Sequence, residues 1–131
     1  MKVQVDFSLI ATDGTSIRFL TDGELTVEDS IRRLKFVEQT DAKLLTAIDI
    51  YTNKVKILRT GLIMMDMELN PQHETTLKMN TDEKFEISMR CITDHLVIDD
   101  DYFEAIYQTE MDKEHGVYHQ LKVSFKQEIT N

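Results

Sequence analysis

Residues 55–69, VKILRTGLIMMDMEL, decide how this chain is read. Taken every second residue, they give Val55, Ile57, Arg59, Gly61, Ile63, Met65, Met67 and Leu69. Side chains two apart on a strand share a face. One face is therefore apolar almost end to end, with an arginine and a glycine at its middle. Fifteen residues exceed an ordinary strand, so the stretch is expected to turn near Arg59-Thr60-Gly61 and form two strands. Asn70-Pro71 ends it, because proline lacks the N–H that a ladder needs.

The same period of two runs outward in both directions. Val3, Val5, Phe7 and Leu9 alternate with Gln4, Asp6 and Ser8, a half-buried strand. Asp13-Gly14 suits a tight turn. Residues 15–25 form the next strand, with Asp22-Gly23 as a second turn or a bulge. Residues 26–40 admit two readings. Thr26-x-x-Asp29 resembles a helix capping box, whereas a turn at Glu28-Asp29-Ser30 would lead into a strand with Leu34 and Phe36 inward. The strand is favoured, because everything nearby is β. Asp41-Ala42-Lys43 turns the chain into a strand carrying Ile48 and Ile50, and Asn53-Lys54 turns it back.

Beyond the opening stretch, Leu77 and Met79 face inward and Asn80-Thr81-Asp82 turns. Phe85, Ile87, Met89 and Cys91 then share a face, but past Thr93 the apolar phase passes to Leu96 and Ile98. Such a shift implies a bulge. Asp99-Asp100-Asp101 makes an acidic turn. Phe103, Ala105 and Tyr107 face one way and Tyr102 and Ile106 the other, as if this strand were covered on both sides. His115-Gly116 turns into a last stripe of Val117, His119, Leu121, Val123 and Phe125. About ten strands at close spacing, with no helical crossover, indicate an all-β fold. One inner face per strand and short links favour a single antiparallel barrel, which also removes exposed edges.

The bulk composition excludes several classes. The chain has 131 residues, suited to a single domain over 1–131. A net charge of -9 with scattered basic residues argues against a nucleic-acid partner and against anionic membranes. Cys91 is the only cysteine, so a disulfide within the chain and a cysteine zinc site are excluded. MKVQVDFSLIATDG lacks the continuous apolar run of a signal peptide, and no run reaches membrane-spanning length, so a reduced, cytoplasmic setting is expected.

Within this pattern, VKILRTG at residues 55–61, Phe85-Glu86-Ile87, the acidic run at 98–101 and the closing strand at 118–125 resemble the YwiB-like family, a bacterial domain of unknown function. The resemblance implies a lipocalin-like (calycin-type) up-and-down β-barrel of about eight to ten strands in a cytoplasmic bacterial setting. It implies no activity. Barrels of that type often hold a small apolar ligand, which is an analogy of fold.

Arg59 is the most pointed candidate. Alternation places it inside with Val55 and Ile57, and a buried guanidinium must be paired. It grips the carboxylate or phosphate of a ligand, forms an internal ion pair with Asp or Glu, or sits at the rim against water and backbone carbonyls. His119 shares a face with Leu121 and Val123. His115, four residues earlier on one strand, would lie about 13 Å away, too far for a joint metal site. The Asp99-Asp100-Asp101 run lacks calcium-loop spacing. The seven methionines serve either a soft apolar lining or a filled core. No catalytic motif, cofactor motif or metal-ligand pattern is present, which favours a non-enzyme.

Two readings follow. In the first, the barrel binds a small apolar or carboxylate-bearing ligand, with Arg59, Ile57, Ile63, Met65 and His119 around it. A solid interior with Arg59 already paired would count against it. In the second, a filled barrel serves as an interaction or assembly module, docking through an exposed apolar patch or through a strand face buried on both sides, such as that of Tyr102, Ile106 and their neighbours. The sequence leaves monomer and homodimer open.

Overall fold

The computed structural model describes residues 1–81, 85–111 and 116–128. Ten strands follow in order: β1 Lys2–Ala11, β2 Ser16–Glu28, β3 Ile31–Val37, β4 Leu45–Ile50, β5 Val55–Thr60, β6 Ile63–Leu69, β7 Thr75–Thr81, β8 Glu86–Ile98, β9 Tyr102–Glu110 and β10 Gly116–Gln127. Each strand pairs antiparallel with its neighbours in sequence, and β1 pairs with β10, so the sheet closes into an up-and-down barrel. Closure satisfies every strand edge within the sheet.

The period of two sets the interior. Val3, Val5, Phe7 and Leu9 of β1, Leu34 and Phe36 of β3, and Leu121, Val123 and Phe125 of β10 are all buried. Residues 26–40 are strand, turn and strand. Asp29 and Ser30 take φ of 51° and 68°, the left-handed pair that a two-residue hairpin turn matched to strand twist requires. The opening stretch divides as its face predicts, with β5 ending at Thr60 and β6 beginning at Ile63. The phase change in β8 is a register shift between Thr93 and His95. It keeps both Cys91 and Leu96 on the inner side.

Several local expectations need correcting. Asp22-Gly23 is neither turn nor bulge, because β2 runs through it in unbroken register with β1 and β3. Gly23 is there for space: a Cβ would stand 2.7 Å from a methyl of Val5. Phe85 lies outside β8 and is 64% exposed. The outer face of β9 is uncovered, leaving Ile106 exposed. Of the turns expected at Asn80-Thr81-Asp82 and His115-Gly116, Asn80 and Thr81 instead close β7 and Gly116 opens β10, while Asp82 and His115 fall outside the described residues.

The two ends of the barrel differ. Call the end reached by the C-termini of β1, β3, β5, β7 and β9 the upper end. The middle is filled by Phe7, Phe19 and Phe36, with the Phe7 and Phe19 rings stacked at 4.9 Å. Toward the lower end, Phe103 and Phe125 are fully buried. There Arg32 of β3 reaches to the β8–β9 turn on the opposite side of the ring of strands. Its guanidinium donates to the carbonyls of Asp100 at 2.6 Å and Asp99 at 2.8 Å, and lies over the Phe125 ring. Among the described residues, no helix is long and apolar enough to cross a membrane.

Candidate functional site

The upper end carries Arg59, and register explains its surroundings. Thr46, Arg59, Met65 and Met79 are successive cross-strand partners on β4, β5, β6 and β7. Side chains opposite one another in neighbouring strands are in contact range, so these four form one row around the inner wall. Glu38 extends the row, because it continues the inward parity of Leu34 and Phe36 just past the end of β3. Its N–H donates to the carbonyl of Leu44 at 2.8 Å, which fixes the chain where it leaves the strand.

Arg59 and Glu38 meet in a bidentate pair. Arg59 Nε donates to Glu38 Oε2 and Nη2 to Oε1, both at 2.7 Å. Thr46 Oγ1 donates to Glu38 Oε2 at 2.5 Å. The Glu38 side chain is wholly buried and that of Arg59 is 17% exposed. A charge pair this deep stands only because geometry and extra hydrogen bonds offset its desolvation. The remaining nitrogen, Nη1, faces Met65, 3.7 Å from its sulfur, and a thioether is a weak acceptor.

Beyond that nitrogen the barrel is not filled. A cavity of about 260 Å³ opens at the upper end. One wall is made by Met65, Met67, Met79 and Met89 with Leu77, and the facing wall by Leu9, Tyr107, Thr109, Val117 and His119. Asp13, in the β1–β2 turn, stands at its rim. The thioether chains have no branched ends to interlock, and Met65, Met79 and Met89 are only partly buried.

His119 is held on two sides. Its ring stacks on Tyr107 with centroids 4.6 Å apart, and Nε2 lies 2.9 Å from Thr109 Oγ1. Nδ1 is buried, with no hydrogen-bond partner among the described residues. Burial pushes the His119 pKa below the usual imidazole value, against a weaker opposing pull from the Asp13 charge. The ring is therefore neutral at pH 7. Burial also pushes the Tyr107 phenol up. The Asp13 carboxyl is held below its usual value, chiefly by hydrogen bonds with Thr15, whose N–H donates to Oδ1 at 2.9 Å.

Of the residues singled out from sequence, the cavity brings together Arg59, Met65 and His119. Ile57 does not line it. It pairs with Met67, one row deeper, and is buried in the filled core. Ile63 has the inward parity but stands above the Arg59 row, where it is 41% exposed. Arg59 has the internal partner that one reading required, yet the interior beside it is open, as the other required. Sequence reasoning missed Glu38, Asp13, Tyr107 and Thr109 as members of the site. Parity with Leu34 and Phe36 could have found Glu38. Cys91 is fully buried away from the cavity, and desolvation raises its thiol. No group of His, Cys, Asp and Glu among the described residues is arranged to hold a metal ion.

The fold matches a known structure. The ywiB protein from Bacillus subtilis superposes with a TM-score of 0.66, covering 96% of this chain and 91% of that one at 18% identity. At that identity the likeness speaks for the barrel alone. No curated protein matches the chain. A family model described as a domain of unknown function, DUF1934, matches residues 3–123, nearly the full length of the barrel. Barrel and family model agree in extent, and the chain belongs to this DUF1934, YwiB-like family.

Proposed function

We propose that the barrel binds a small molecule in its methionine-lined upper cavity, with Arg59, Met65 and His119 among the contacts. The observation that carries this reading is the cavity itself: concave, mostly apolar, and edged by a few convergent polar groups. Ligand sites have that character. At about 260 Å³ it lies just under the usual range for drug-sized ligands, so its occupant is small. Binding rather than catalysis is the role, and the bacterial cytoplasm is the setting.

The chain's own methionines supply the test. With methyl-13C methionine, a library of small apolar fragments is titrated and the methyl resonances followed. Met65, Met67, Met79 and Met89 should shift, while the exposed Met1, Met64 and Met111 stay as internal controls. A screen in which the four cavity methyls never move sinks the reading.

A second reading rests on the outer wall. Ile10, Ile106 and Tyr118 are exposed on neighbouring strands β1, β9 and β10 and border a shallow groove. Apolar patches of this kind can mark contact surfaces. Sedimentation velocity over a hundredfold range of concentration would support an assembly role if the coefficient rises, and count against self-association if it does not.

A further inference from the structure

We infer that the molecule taken by the upper cavity is electrically neutral: a mostly apolar compound of roughly nine non-hydrogen atoms carrying one oxygen acceptor for Arg59 Nη1, and not a carboxylate. The inference rests on the reading of this cavity as a ligand site. The size follows from a volume of about 260 Å³ shared out at roughly 30 Å³ for each water-sized unit.

The charge follows from what already holds Arg59. Its Nε and Nη2 are both given to Glu38, whose carboxylate is wholly buried and also accepts from Thr46. An anion that took the Nε–Nη2 edge would leave Glu38 unpaired in the interior, the costliest state for a buried charge. Nη1 remains available, but an anion bound there would meet a guanidinium whose charge is already matched. It would also sit in the same chamber as Asp13, which is ionised at the rim. With His119 neutral, the Arg59 charge is cancelled by Glu38 behind it, outside the lining, which leaves Asp13 as the uncompensated charge at the cavity. The chain's charge of -9 works in the same direction. A cation gains from Asp13 and the overall charge, but it shares the cavity with the Arg59 guanidinium and offers Nη1 no acceptor.

A neutral hydroxyl or carbonyl oxygen meets none of these obstacles. It is a better acceptor than the Met65 sulfur now 3.7 Å from Nη1. It takes that N–H while the ion pair stays intact. The thioether and aliphatic walls bury the rest of the molecule.

The test is a matched series in the full chain at pH 7: 1-octanol, octanoate and octylamine, titrated by calorimetry and by the methionine methyl shifts. Octanol should bind at least tenfold more tightly than either charged member. Octanoate or octylamine binding as tightly as octanol overturns the neutral assignment while leaving the ligand site standing. If no member moves the cavity methyls, the site reading itself falls and this inference falls with it. Glu38→Gln, which frees the charge of Arg59, should raise octanoate affinity about tenfold relative to octanol. Asp13→Asn changes only an exposed rim residue and guards against misfolding of the buried variant. It should strengthen octanoate about twofold at low salt. No gain for octanoate in a folded variant of either kind contradicts the charge argument.

Discussion

Two arginines stand at opposite ends of the barrel and meet opposite fates. Arg32 lies across the lower end, pointing its guanidinium at the Asp99 and Asp100 carbonyls with Phe125 beneath it. It needs no carboxylate, because backbone oxygens and an aromatic face satisfy it at the edge of solvent. Arg59 is set inside the upper end, where only a small part of it meets solvent, and it takes a full counter-charge in Glu38. The space around them differs in the same sense. Phenylalanines fill the barrel toward Arg32, whereas partly buried methionines beside Arg59 leave a cavity. The lower end is filled and the upper end is left open.

Truncation measures that difference most directly. Phe103 is fully buried in the filled part, and Phe103→Ala should cost about 3–5 kcal/mol. Met79→Ala beside the cavity should cost only about 1 kcal/mol, because its side chain is partly buried and adjoins space that is already empty. Denaturant titration of both variants checks this. Equal losses would mean that the upper end is packed as tightly as the lower, and the contrast would break.

The Arg59 pair gives an effect of similar or slightly smaller size. Glu38→Leu strands a guanidinium that is largely buried, and should cost about 3–4 kcal/mol. Adding Arg59→Met should recover most of that loss, since an apolar pair of like volume is often as stable as a buried ion pair. A double variant no better than the single one would show that Arg59 finds another partner, as Arg32 does. That outcome would erase the distinction between the ends.

The smallest effect lies in pH. The folded-state pKa of His119 is lowered by burial. The unfolded chain therefore holds more protons at this site, and stability rises with pH up to the ordinary imidazole value of about 6.5 and is lost as pH falls below it. Unfolding midpoints between pH 7.5 and 5 should decline, and His119→Gln should flatten the decline. A profile unchanged by that substitution would show that His119 is better hydrated than its surroundings imply.

Much of this architecture is legible in the chain. The strand faces of residues 2–11 and 116–127 follow from alternation, whereas 31–37 reads as strand only because its neighbours are β. So does the phase slip in β8, which is the register shift at Thr93 and His95. Ile63 shows where alternation stops being enough. It has the parity of Met65 and Met67, yet it is exposed because β6 begins beyond the row of Arg59. Parity tells which face a residue takes, and not how far along the barrel axis it lies. Gly23 misled for a related reason: in isolation Asp-Gly reads as a turn, and only the approach of Val5 shows why glycine is needed there.

The sequence by itself determined the all-β class, the near count of strands, the face that Arg59 shares with Val55 and Ile57, and the need for a partner to its charge if that face is inward. These are local properties, since a period of two and the cost of a buried guanidinium can be read without knowing which strands meet. Only the tertiary structure decided that the sheet closes, that Glu38 rather than a ligand answers Arg59, and that space remains beside them. Glu38 and Arg59 are 21 residues apart and meet across the intervening strand β4. The cavity is what remains after side chains from several strands have filled what they can reach. Such a remainder is a property of the closed barrel and of no single stretch of chain.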